Sequence, residues 1–131
     1  MVEGYMDVIA LAQYGLPIGI APCGTAVTSE QIKLVSRHTD NLVLALDNDQ
    51  AGFEATIRAL KVAYAADMFP QIFQLPTAYK DIDQRLATSG QQIDAQMIKN
   101  MSSDGFSWIV QELLKRHDIN NPVLRKKFLQ T

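Results

Sequence analysis

The chain has 131 residues, a mass of 14.6 kDa, 47% hydrophobic and 20% charged residues, and a net charge of −2. That balance suits one globular domain, or one domain with an appendage, and argues against disorder. No window approaches the roughly 18 uncharged apolar residues of a membrane span, Met1-Val2-Glu3-Gly4 lacks the basic and apolar runs of a signal peptide, and the lone Cys23 excludes an internal disulfide or a cysteine-based zinc site. A cytoplasmic protein without a membrane partner is the expectation, with Cys23 a small buried residue.

Taken in order, the elements alternate. Tyr5 to Tyr14 has a helical apolar face of Val8, Ile9, Leu11 and Ala12, stopped by Gly15 and Leu16-Pro17. Ile18 to Ala21 is short and apolar, a buried-strand pattern. Thr28-Ser29-Glu30-Gln31 has the form of a capping box opening a helix to about Arg37. Leu42 to Leu46 is an unbroken apolar run ending at Asp47, as suits a parallel strand buried on both faces. Residues 50–67 are Ala-rich without proline, a long helix. Gln71 to Leu75 reads as another strand, and Asp81 opens a further helix.

After about Ser89 the strand signals stop. Ile93 to Met101, Phe106 to Arg116 and Pro122 to Gln130 read as helices, with Trp108, Phe106, Ile109, Leu113 and Leu114 forming a core face. The expected fold is therefore α/β: a parallel sheet flanked by helices over residues 1–90, then a small helical region over 91–131. Charge divides along the same line. Residues 1–110 hold seven Lys/Arg against twelve Asp/Glu, a net −5; residues 111–131 hold five against two, a net +3.

Three acidic clusters stand out. Glu3 and Asp7 are one helical turn apart. Asp47 and Asp49 follow a buried strand. Asp81 and Asp83 follow the next strand after a short loop. In such a sheet the carboxyl ends of the strands share one edge, where ligands bind. Converging carboxylates repel one another unless a cation lies among them. Oxygen donors without cysteine or a nearby histidine select a hard ion, Mg²⁺ or Mn²⁺. That donor set fits phosphoryl transfer. No Gly-x-x-x-x-Gly-Lys-[Ser/Thr] loop is present, so a P-loop nucleoside triphosphatase is excluded.

Glu3-Gly4-Tyr5-Met6-Asp7, then Gly24-Thr25-Ala26, then Asp47-Asn48-Asp49-Gln50-Ala51-Gly52 resemble, in order and spacing, the Toprim domain of bacterial DnaG-type primases. Lys80-Asp81-Ile82-Asp83 is similar to the Asp-x-Asp that follows in those enzymes. The resemblance covers about residues 2–90. It implies a Toprim domain with a truncated first strand, an incomplete helical subdomain after it, and a piece of a longer catalytic core. It further implies metal-dependent nucleotidyl transfer, making short RNA primers on single-stranded DNA from ribonucleoside triphosphates with Mg²⁺ or Mn²⁺. Glu3, Asp47 and Asp49 would be the catalytic metal ligands, with Asp7, Asp81 and Asp83 completing the cluster. Gly4, Gly24, Thr25 and Lys80 would face nucleotide or nucleic acid. A replicative helicase would bind regions absent here, and the isolated piece is expected to be inactive. Phe53 departs from the family, which usually carries a basic residue there. The alternatives are a Toprim nuclease or topoisomerase, or a non-catalytic Toprim binding module.

Overall fold

A computed structural model describes residues 1–74 and 94–116. Its elements, in chain order, are α1 (Tyr5–Gln13), α2 (Ser29–Ser36), β1 (Val43–Leu44), α3 (Gln50–Tyr64), β2 (Gln71–Phe73), α4 (Ala95–Met101), β3 (Ser102–Asp104) and α5 (Gly105–Arg116). The sheet order is β1-β2-β3. β1 and β2 are parallel, with Val43 opposite Gln71 and Leu44 opposite Ile72. β3 lies antiparallel on the far edge of β2, with Ile72 opposite Ser103.

Side chains alternate across this sheet, and so does the core. Leu44 and Ile72 point to one face, where Ile32 of α2, Leu60 of α3 and Trp108 of α5 close over them. Phe73 points to the other, with Val2 and with Ala10 and Leu11 of α1. Both faces are covered, which is why Leu42 to Leu46 is apolar throughout. Val2 and Met1 extend the sheet beyond β1. The Met1 backbone nitrogen donates to the Val43 carbonyl, and the Ala45 amide donates to the Met1 carbonyl (2.8 Å).

Local signals settle the helix starts. Thr28 accepts from the Gln31 amide (3.2 Å), and Gln31 Oε1 accepts from the Thr28 amide (3.0 Å), the reciprocal pair expected of the capping box. Asp49 caps α3 through the Gly52 amide (2.8 Å), and Asp104 caps α5 through the Ser107 amide (2.9 Å). α3 is shorter than its Ala-rich run suggests, because Ala65 and Ala66 turn and Asp67 takes a left-handed φ of 55°.

Several sequence expectations are corrected. Ile18 to Ala21 forms no strand of the sheet. The Ile20 carbonyl accepts from the Val2 amide (2.8 Å), but the Ile18 amide turns back to Leu16. Pro17 and Pro22 bracket the segment and lack the N–H groups a ladder needs. Residues 102–104 fall between two of the expected helices, in a region read as having no strand, and form β3. Nothing in Ser-Ser-Asp announces a strand, and the open edge of β2 recruits it. Cys23 is exposed rather than buried, with a left-handed φ of 61°. Phe106 is exposed while Trp108 is buried. Two positions apart on a helix lie on nearly opposite sides. The helices read at Asp81 and at Pro122 fall outside the described residues.

Candidate active site at the strand ends

The site grows from the end of β1. Leu44 is fully buried, and the chain then emerges through Ala45 and Leu46 to Asp47. Met1 and Val2 run beside it, so Glu3 emerges at the same edge. Glu3 Oε1 accepts a hydrogen bond from the Asp47 amide at 3.1 Å, joining two motifs 44 residues apart. Asp7 lies in the first turn of α1 and is buried. Asp49 commits Oδ1 to the start of α3. Glu3 Oε2 and Asp49 Oδ2 accept no hydrogen bond among the described residues.

Gly52 makes this arrangement possible. A Cβ there would overlap the Asp47 carbonyl oxygen and lie 2.7 Å from its carbonyl carbon. Only glycine lets the first turn of α3 pack directly on the Asp47 backbone. The Ala-Gly after Asp-x-Asp was visible in the sequence, but its steric role was not.

Two hollows flank the acids. One, of about 310 Å³, is lined by Glu3, Gly24, Thr25 and Arg58. Gly24 has a left-handed φ of 79°, and Thr25 Oγ1 donates to the Pro22 carbonyl (3.0 Å), so this loop is shaped by its glycine and held by its own backbone. Gly4 is extended, and a Cβ added there would meet nothing within 4 Å. The other hollow, of about 260 Å³, is lined by Asp47, Asn48, Asp49, Gln74, Glu112 and Arg116, among others. A larger cavity of about 860 Å³ is mostly apolar, and none of Glu3, Asp7, Asp47 and Asp49 lines it.

Glu112 was not singled out in the sequence. Burial pushes its carboxyl up. Hydrogen bonds from Lys115 (2.7 Å) and Gln74 (3.3 Å), with the charges of Lys115 and Arg116, outweigh that and hold it below the usual carboxylate range. Arg116 was read only as part of a basic helix face. The structure lays its guanidinium over the Phe53 ring, 3.7 Å from the centroid.

Among the described residues no three acidic, histidine or cysteine side chains stand close enough to hold a metal ion by themselves. Asp81, Asp83 and Lys80 lie outside those residues. The donor set nevertheless fits a hard cation. Among the described residues Glu3 and Asp49 each keep a carboxylate oxygen that accepts no hydrogen bond, and Mg²⁺ typically takes one or two carboxylates and retains water or phosphate oxygens.

Residues 1–86 match the Toprim-like family model, Toprim_2. The chain belongs to the Toprim-like family. Within it, this Toprim chain is 35% identical over 125 residues to the DNA primase of Escherichia coli K12, covering 93% of this chain and 21% of that protein. It therefore spans about a fifth of the length of the curated primases it matches. Its fold is similar to a DNA primase domain from Pseudomonas aeruginosa, with a TM-score of 0.75 and 32% identity, covering 92% of this chain and 39% of that one. A DnaG primase catalytic domain bound to single-stranded DNA superposes with a TM-score of 0.74 at 30% identity, covering 96% and 40%. The similarity is thus to the Toprim part of bacterial primase catalytic cores. A nuclease or topoisomerase reading gains no support. Among the described residues no helix is long and apolar enough to cross a membrane.

Proposed function

We propose that this chain is the Toprim part of a DNA primase catalytic core, taking part in the metal-dependent joining of ribonucleotides into short RNA primers on single-stranded DNA. The observation that carries this reading is the Glu3–Asp47 hydrogen bond of 3.1 Å, which sets two acidic motifs side by side at the strand ends of a chain similar to primases over 93% of its length. Residues 1–90 would be the Toprim domain, and 91–131 the start of a helical subdomain. Ribonucleoside triphosphates would be the substrates. A replicative helicase would meet the larger protein outside this chain, in the cytoplasm.

Glu3, Asp47 and Asp49 would hold Mg²⁺ or Mn²⁺, with Asp7, Asp81 and Asp83 adding negative charge around them. When bound, the cation would offset triphosphate charge and stabilise the departing pyrophosphate. The chain's own part is placement. Glu3 holds the Asp47 backbone, Asp49 holds the start of α3, and Gly52 keeps the two close. Gly4, Gly24, Thr25 and Lys80 would contact nucleotide or strand.

The test is a chimera. The chain replaces the matching segment of the Escherichia coli primase, and template-dependent primer synthesis is measured with Mg²⁺ and with Mn²⁺. Primers that disappear with Asp47→Asn support the reading. A folded chimera that binds single strands but makes no primer with either ion would sink it.

A further inference from the structure

Among the described residues, the hollow beside Asp47, Asn48 and Asp49 has one positive side chain on its wall, Arg116. Its other charged lining is acidic: Asp47, Asp49 and Glu112. A guanidinium carries five N–H donors in a fixed fork. One is used on Gln50 Oε1, in the first turn of α3, 66 residues away in sequence. Nε pairs with Glu112 Oε2 at 3.7 Å, an ion pair too long to be a hydrogen bond, so the N–H donors are not spent there. Glu112 is already engaged by Lys115 and Gln74. The Phe53 ring covers one face of the guanidinium, so its edge is what remains for a ligand. The side chain is 35% exposed, neither buried nor free in solvent. A planar cation held at its face and at one corner, beside carboxylates suited to a divalent ion, matches the needs of a phosphate group, which a guanidinium fork grips with two parallel bonds.

We propose that Arg116 is a phosphate-binding residue of this site, taking a phosphate that lies beside Asp47 and Asp49. Phe53, where the resemblance implies a basic residue, becomes the seat for a cation delivered from another helix. This inference rests on reading the strand ends as a nucleotide-handling site. The phosphate has two sources, a free triphosphate or the backbone of a strand.

The 131-residue chain is titrated in two arms, ATP with Mn²⁺ and a labelled oligodeoxythymidine strand at several salt concentrations. Trp108, the single tryptophan, packs 5.6 Å from the Phe53 ring and reports the first arm by fluorescence. Arg116→Gln is expected to weaken one arm about tenfold, the scale of one charge-assisted hydrogen bond. If the source is a strand, the slope of log affinity against log salt also falls by about 0.7. Arg116→Lys keeps the charge without the fork and should recover only part of the loss. Phe53→Arg with Arg116→Gln puts a guanidinium back at the same wall and should recover most of it. The urea midpoint of each variant is followed alongside. Binding by Arg116→Gln equal to the parent, or a loss that Phe53→Arg does not recover, overturns the assignment and leaves Arg116 a strut between α5 and α3. A parent chain that binds neither probe overturns the nucleotide-handling reading itself.

Discussion

Gly52 packs its Cα against the backbone of Asp47 so closely that a Cβ would stand 2.7 Å from the Asp47 carbonyl carbon. The obstacle is backbone, which cannot swing aside as a side-chain tip can. Asp47 is also the residue whose amide Glu3 holds. One glycine thereby controls the spacing between the end of β1 and the start of α3.

Gly52→Ala is therefore expected to destabilise the chain by about 1–3 kcal/mol, the range for overpacking a close-packed site. Urea denaturation followed by Trp108 fluorescence measures it. An unchanged midpoint would show that the helix can step away from Asp47 without penalty.

Glu3→Gln keeps an oxygen acceptor for the Asp47 amide and removes the negative charge. Stability should hold, while Mn²⁺ affinity, read by electron paramagnetic resonance, drops about tenfold or more. Asp47→Asn should do the same. Equal Mn²⁺ binding in both variants would move the cation away from these strand ends.

Glu112 adds a pH-dependent contribution to stability. Its carboxyl is held below the usual range in the folded chain, with burial opposing and Lys115, Gln74 and Arg116 prevailing. The stabilisation is fully present above the unfolded value of about 4.3 and is lost as pH falls through the lower folded value. Melting temperatures between pH 7 and pH 3 should thus decline less steeply for Glu112→Gln than for the parent. Parallel curves would show that the carboxylate's partners contribute nothing net.

Thr28 and Gln31 exchange hydrogen bonds across the first turn of α2. Thr28→Ala removes one acceptor and frees one amide, for an expected loss of about 1 kcal/mol. Since Ile32 of the same helix is fully buried in the core, the loss should appear in the global unfolding midpoint. A change confined to local amide exchange near residues 28–31 would mean that α2 frays independently.

Much of this molecule is legible in its residues. The capping box at Thr28, the buried run ending at Asp47, the helix after Asp49 and the motifs around Glu3 and Asp47 all stand where the sequence puts them. Each depends on neighbours within a turn of helix or on one apolar run, and such interactions are written locally. The edge position of β3, the loss of strand character at Ile18 to Ala21, the engagement of Glu112 and the seat of Arg116 on Phe53 were not legible. Ser102–Asp104 is a strand because β2 offers an open edge, and Arg116 reaches Gln50 across 66 residues because α5 and α3 cover the same face of the sheet. Local hydrogen bonds and apolar periodicity determined which segments fold and where the acids emerge. Tertiary packing alone decided which of those acids share a wall with a cation, because that depends on which faces remain to be covered once the sheet has formed.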